Sequence, residues 1–233
     1  MRLAVIPARG GSKRIPRKNI REFCGRPMIA WSIEAALESR CFDRVIVSTD
    51  DEEIADVARD SGAEIPFLRP ADLADDHTPT VPVIAHAIRD MTERYGAPQE
   101  VCCLYATAPF VQSADLCRGL DLLGKGRYDY VFSITSYAFP IQRALRLGAD
   151  SRVEMVQPEH ALTRSQDLEE AWHDAGQFYW GTAEAWLQGR TLLGPGSAGL
   201  SLPRHRVQDI DTEEDWQRAE LLMRALKSAE GAC

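Results

Sequence analysis

Residues 5–20 read VIPARGGSKRIPRKNI, an apolar strand end that turns at once into glycines and cations. The run Leu3 to Ile6 is continuously apolar, as in a strand covered on both faces, and the chain leaves it through Pro7. In an open parallel sheet, ligands settle where loops leave the carboxyl ends of strands, so a loop at this position is well placed for function. Gly10 and Gly11 carry no side chain to hold a phosphate away from backbone N–H groups, and Ser12 adds a hydroxyl donor. Arg9, Lys13 and Lys18 supply charge-assisted hydrogen bonds, an arginine being able to grip two oxygens at once. Pro7 and Pro16 bracket the segment and restrict it. Its spacing matches neither G-x-x-x-x-G-K-[ST] nor G-x-G-x-x-G. A triphosphate suits such a loop; the plain alternative is a solvated basic turn.

Composition makes that loop stand out. The 233 residues carry a net charge of −8, yet Arg9, Lys13, Arg14, Arg17, Lys18, Arg21 and Arg26 face only Glu22 within one short stretch. The acidic balance disfavours nucleic acid or an anionic membrane as the main partner, while the local cations point to a small polyanion. A hydrophobic content of 45% and a charged content of 27% describe a globular chain with one large domain rather than a disordered one. No stretch approaches the ~20 apolar residues that span a bilayer. Met1 to Pro7 lacks the longer apolar region and cleavage site of a signal peptide, so a cytoplasmic location is expected. Cys24, Cys41, Cys102, Cys103, Cys117 and Cys233 form no Cys-x-x-Cys pair and read as buried free thiols.

Outward from the loop, short apolar runs alternate with helix-period segments, the pattern of a parallel sheet covered by helices. Strands are predicted over Leu3 to Ile6, Arg44 to Thr49, Val101 to Tyr105 and Tyr130 to Ile134. Met28, Ile29, Ile33, Ala36 and Leu37 mark one helix face; Ile54, Val57 and Ala58 mark a second, capped by Thr49 or Asp50. Val83, Ile84, Ala87, Ile88 and Met91 trace a third, and Ser113 opens a fourth with Leu116, Leu120 and Leu123. From about 137 to 176 prolines and a Gly148-Ala149-Asp150 turn break the rhythm, as in an excursion from the sheet. A strand over Gln177 to Gly181, a short helix over Thr182 to Gln188 and a flexible loop from Gly194 to Gly199 follow. Arg206 to Ile210 reads as a last strand, and Thr212 with Asp215 as the cap of a final helix bearing Trp216, Ala219 and Met223.

Asp209 and Asp211 would then project from one face at the end of that last strand, a hard oxygen pair suited to Mg²⁺ shared with phosphates. An Asp just before a capping Thr is equally common at helix starts, so the pair gains weight only beside a phosphate loop. Asp50 and Asp51 could touch ribose or metal, or simply cap. Asp75, Asp76 and His77 read as a solvated acidic turn. His160, His173 and Asp174 lack the Gly-x-Ser-x-Gly elbow a hydrolase relay would need.

The opening resembles the signature of the cytidylyltransferases that activate nine-carbon sugar acids, the CMP-acylneuraminate synthetase family. It is carried by Ala8-Arg9-Gly10-Gly11-Ser12-Lys13, Ile15-Pro16 and Lys18-Asn19, with further matches at Ser48 to Ala55, Arg69-Pro70, Leu73, Asp75 and Asp209 to Trp216. The resemblance implies a Rossmann-like, mostly parallel α/β fold and a homodimer built partly from the excursion. It implies that Ala8, Arg9, Gly10, Gly11, Ser12, Asn19, Arg69 and Thr107 hold CTP, with Arg9 and Lys18 catalytic and Asp209 and Asp211 on Mg²⁺. Tyr105 to Phe110, Phe139 to Arg143 and His173 to Trp180 are similar to the pseudaminic acid cytidylyltransferase branch rather than to sialate-activating members. Tyr105, Arg164, Gln166, Gln177 and Tyr179 are accordingly the candidates for the sugar acid. Transfer to another acceptor such as N-acetylneuraminate, legionaminate or 3-deoxy-manno-octulosonate, and a CTP-binding module without catalysis, are the competing readings.

Overall fold

Each residue from Leu3 to Ile6 is fully buried, because the strand it forms lies inside a sheet with helices on both sides. The computed structural model describes residues 1–75 and 77–230; Asp76 and Cys233 lie outside them. In chain order the elements are β1 (Arg2–Pro7), β2 (Glu22–Phe23), β3 (Arg26–Pro27), α1 (Met28–Ser39), β4 (Arg44–Ser48) and α2 (Glu52–Asp60). Then come α3 (Thr80–Tyr95), β5 (Glu100–Leu104), α4 (Ser113–Lys125), β6 (Tyr130–Ser136), β7 (Leu145–Leu147) and β8 (Val153–Met155). The chain ends with β9 (Trp172–Thr182), α5 (Ala183–Gln188), β10 (Ser197–Ser201) and α6 (Glu213–Glu230), and short 3₁₀ turns join several of these.

Six strands form the main sheet in the order β10-β6-β9-β5-β1-β4. β1 is parallel to β4 and β5, and β6 to β10, whereas β9 runs antiparallel to both of its neighbours. Period-two alternation sends Ala4 and Ile6 of β1 into one apolar cluster with α1, α2 and α4, and Leu3 and Val5 into another with α3 and α5. The α/β class with helices on both faces is therefore as expected. A third cluster gathers Ile15, Phe23, Met28, Phe110, Ile210 and Trp216, seating α6 beneath the basic loop. Trp180 and Trp186 are buried with their indole N–H groups donated to the carbonyls of Leu116 and Val101. Truncating such a ring to Ala costs about 3–5 kcal/mol. Among the described residues no helix is long and apolar enough to cross a membrane.

Three local expectations are corrected. The cap of α2 is Asp51, which accepts the N–H of Ile54 at 3.0 Å, because the helix begins at Glu52 and leaves Thr49 and Asp50 too far back. The loop from Gly194 to Gly199, read as flexible, runs into an edge strand, Ser197–Ser201, parallel to β6. A Cβ at Gly199 would stand 2.4 Å from Cδ1 of Ile134, so that glycine serves close packing and not mobility. Arg206 to Ile210 forms no strand. One 3₁₀ turn over Arg204–Arg206 leads into irregular chain, since Val207 and Ile210 reach two different apolar clusters and no single sheet edge.

The Thr212 and Asp215 expectation holds: Thr212 accepts the Asp215 N–H at 3.2 Å and Asp215 accepts the Thr212 N–H at 2.8 Å. From residue 137 to 171 the chain leaves the sheet, pairs β7 with β8 as a separate hairpin, and keeps Phe139, Leu145, Leu147, Val153 and Leu162 exposed.

Candidate active site

β5, β1 and β4 lie side by side and parallel, so Leu104, Pro7 and Ser48 end at one edge of the sheet. The loops leaving those ends enclose a cleft of about 640 Å³. Its walls include Arg9, Ser12, Lys13, Arg14, Lys18 and Asn19 from the first loop, Arg69 after β4, and Tyr105, Ala106 and Thr107 after β5. The basic loop is held in shape by its own side chains. Asn19 is buried and donates Nδ2 to the Arg9 carbonyl at 2.9 Å, while Arg17, at φ +56°, grips Asp51 and also meets Glu53. Gly10 gives its N–H to Asp50 at 3.0 Å, and a Cβ there would approach Asp51 Oδ2 to 2.6 Å, which requires glycine.

The late aspartate turn meets this loop from the far end of the chain. Lys18 Nζ donates to the Ile210 carbonyl at 2.7 Å and stands 3.5 Å from Asp211, and Arg14 pairs with the same carboxylate at 2.9 Å. Removal from water, and then the neighbouring charge of Asp211, push the Asp209 carboxyl above its usual range, with Lys18 opposing. Two carboxylates crowded in this way are relieved by a cation, and a pair of hard oxygens fits Mg²⁺ completed by phosphate oxygens. Among the described residues no group of three or more His, Cys, Asp or Glu gathers around a point.

Lacking a strand, this turn is fixed by a buried clasp. Arg206 pairs with Asp115 of α4 at 2.5 Å, the two side chains being only 11% and 3% exposed, and the Arg206 carbonyl accepts Nε2 of Gln177 at 2.5 Å. Such a pair is neutral at best for stability compared with apolar packing, but breaking it leaves a stranded charge.

The opposite lip was legible only in part, through Arg69, Leu73 and Asp75. Arg69 is buried and binds the Ser48 hydroxyl at 3.1 Å and the Ser48 carbonyl; burial draws its pKa down to about 10, with Asp50 opposing, so it stays cationic at neutral pH. Asp75 closes a turn by accepting from Thr78 N–H at 2.6 Å and Thr78 Oγ1 at 2.7 Å, and its carbonyl receives Arg9 at 2.9 Å. Leu73, Thr78, Thr80 and Val83 complete this wall. Arg69, Leu73 and Asp75 were marked in the sequence by the family resemblance, whereas the turn at 75–77 was otherwise read as solvated and Thr78, Thr80 and Val83 carried no signal of a site.

The structure thus brings Arg9, Ser12, Lys18, Asn19, Arg69, Tyr105, Thr107 and Asp211 to one cleft, with Asp209 electrostatically coupled to it. Ala8 is buried beneath, donating to the Ser48 carbonyl, and Gly11 faces open space. Gln177 is buried on the Arg206 clasp, and Tyr179 is buried behind Tyr105, so neither reaches the cleft wall directly. Arg164, paired with Asp167, and Gln166 are exposed on the excursion and do not line the cleft of their own chain.

A glycine-bearing basic loop after the first strand, faced by a carboxylate turn at the same sheet edge, has the arrangement of a nucleotidyltransferase of the α/β type. The family described as cytidylyltransferase matches residues 3–191. A pseudaminic acid cytidylyltransferase of Campylobacter jejuni subsp. jejuni serotype O:2 is 45% identical over 94% of this chain and 95% of its own. A CMP-N,N'-diacetyllegionaminic acid synthase of Legionella pneumophila is 33% identical, covering 95% of each chain. Among solved structures, CMP:2-keto-3-deoxy-manno-octonic acid synthetase complexed with CTP shares the fold at a TM-score of 0.68 and 17% identity, over 96% of this chain and 98% of that one. The chain belongs to the cytidylyltransferase family, and its activity is that of a nucleotidyltransferase.

Proposed function

We propose that the enzyme transfers CMP from CTP to a nonulosonic acid, with pseudaminic acid as its substrate, and releases pyrophosphate. The observation that carries this reading is the convergence of Lys18 and Asp211, 3.5 Å apart across almost the whole length of the chain. The 45% identity to a pseudaminic acid enzyme selects the acceptor. Arg9, Ser12 and Lys18 hold the phosphates, Asn19 shapes their loop, and Arg69 and Thr107 sit beside the nucleoside. Arg14 and Lys18, which face Asp211, also border the phosphate loop, so they are positioned to take phosphate oxygens. Mg²⁺ held by Asp209 and Asp211 would lower the negative charge around the α-phosphorus and acidify the attacking anomeric hydroxyl. The sugar acid lies on the Tyr105 side of the cleft, where in-line attack is a matter of orientation.

The stretch 137–171 is assigned to a homodimer contact, because it leaves Phe139 at 83%, Leu147 at 74% and Leu162 at 98% exposure. The acidic balance leaves nucleic acid and membranes out of the scheme, with the cytoplasm as the place of action. Pyrophosphate release with CTP, Mg²⁺ and pseudaminate, legionaminate or neuraminate tests the reading, and mass spectrometry identifies the CMP-sugar. Turnover is expected with pseudaminate and is lost on adding EDTA. No release with any nonulosonic acid rejects the function, and preference for another isomer redirects the acceptor.

A further inference from the structure

Two cations of the basic loop close on one oxygen of the late aspartate turn. Arg14 Nη2 donates to Asp211 Oδ1 at 2.9 Å, and Lys18 Nζ stands 3.5 Å from that same oxygen. All three side chains line the cleft. The two cations differ in how firmly they are held. Lys18 is 19% exposed and also donates to the Ile210 carbonyl at 2.7 Å, so its head is fixed beside the turn. Arg14 is 68% exposed, with its head resting on Asp211. The turn itself is pinned, because Asp215 takes the N–H groups of Asp211 at 3.2 Å and Thr212 at 2.8 Å. Arg14 is therefore the member of this contact that can move.

Charge decides when it moves. The aspartate pair carries two negative charges, and two positive charges stand at a single Asp211 oxygen. A lone pair engaged by a guanidinium N–H is not open to a second cation, and a divalent ion drawn to this carboxylate meets like charge at its door. A triphosphate in the cleft reverses the balance. Its oxygens suit a guanidinium as well as a carboxylate does, and it brings more negative charge than Asp211 alone. An ion pair as exposed as Arg14 with Asp211 is worth only about fivefold in an equilibrium, so it yields readily to such a competitor.

We infer that Arg14 is a latch on Asp211: in the free enzyme it guards the carboxylate against divalent cations, and it passes to the phosphates when CTP enters, so the metal pair opens only in the presence of nucleotide. CTP then binds before the metal or together with it. This rests on the reading of Asp209 and Asp211 as the metal pair.

The test is direct binding of Mn²⁺, standing in for Mg²⁺, with solvent proton relaxation reporting the protein-bound ion. Wild type, Arg14→Gln, Arg21→Gln and Asp211→Asn are titrated without nucleotide and with a saturating CTP analogue whose α,β-methylene bridge prevents transfer. Without nucleotide, Arg14→Gln should bind Mn²⁺ about fivefold more tightly than wild type. Arg21→Gln removes an equal charge from a cation that rests on Glu213 instead, and should stay within about twofold. With the analogue bound, the advantage of Arg14→Gln should vanish, and in EDTA the analogue itself should bind that variant about fivefold more weakly than wild type. Arg14 lies mostly in water, so its substitution spares the fold. Unchanged Mn²⁺ affinity in Arg14→Gln, an equal gain with and without the analogue, or an equal gain in Arg21→Gln overturns the inference. An Asp211→Asn variant that binds Mn²⁺ as wild type does beside the analogue defeats the metal reading underneath. Loss of the ion in Asp211→Asn together with an indifferent Arg14→Gln defeats this inference alone.

Discussion

The loop after β1 and the excursion after β6 both leave carboxyl ends of the same sheet, yet one is satisfied within the chain and the other is not. In the loop, Arg14 and Lys18 meet Asp211, Arg17 meets Asp51, Arg21 meets Glu213 and Arg9 meets the Asp75 carbonyl. Its cations are already held in place before any ligand arrives, which is what preorganisation of an anion site requires. In the excursion, Leu145, Leu147 and Val153 of a two-stranded hairpin stand in water. A hairpin of two strands is marginal alone, so its apolar face asks for a surface from outside. On the function and dimer proposed above, the contrast sets a preorganised binding site against a contact surface, and it can be tested by mutating each side.

The largest effect is expected at the loop: Asp211→Ala should lower pyrophosphate release about a thousandfold, or ~4 kcal/mol, with little change in Tm. Loss of the folded state alongside activity would mean that Asp211 is structural, since Arg14 and Lys18 would then be its main business. Next comes the clasp behind it. Asp115→Asn strands Arg206 and should cost about 3 kcal/mol, read as a fall in Tm of roughly 6–12 °C. An unchanged Tm would show that the aspartate turn is held by Lys18 and the Thr212 cap alone.

On the other side of the comparison, Leu147→Glu should weaken self-association by about 2 kcal/mol, near 30-fold in dissociation constant, seen by sedimentation equilibrium. A chain that is monomeric before substitution would break the comparison altogether. The smallest effect is at Asp51→Ala, which removes the α2 cap and a partner of Arg17 for about 1 kcal/mol in chemical denaturation. The hydrogen bond from Arg17 holds this carboxyl below its usual range. Its contribution is therefore complete above the ordinary carboxylate pKa and disappears as pH falls through the lowered one; the variant should lack that acid-dependent part.

How much of this could be read from residues alone depended on whether the signal was local. β1, β4, β5 and β6 were legible because continuous apolar runs have one stable fate, burial on both faces. β10 was not: in Ser197–Ser201 only Leu200 is buried, and its glycine looks like a hinge until Ile134 is placed against it. The basic loop was legible because glycines and cations act through their immediate neighbours. Asp209 and Asp211 were found for their charge, but the strand invoked to align them does not exist; a long-range clasp through Asp115 and Gln177 takes its place. Thr78 and Thr80 escaped notice because their place in the wall arises only when the start of α3 closes on the end of β5. Gln177 was singled out as a candidate for the sugar acid, but its side chain turns inward to the Arg206 carbonyl.

The place of β9 bears on how the molecule comes into being. It runs between β6 and β5, so the sheet stays split until residue 182 has been synthesised. Up to that moment β5, with Val101 to Leu104 all apolar or thiol-bearing, presents an open edge to a crowded ribosomal exit. The strands of the β4-β1-β5 part are all present by residue 104, but the seam that joins them to β6 is closed late and from a distance.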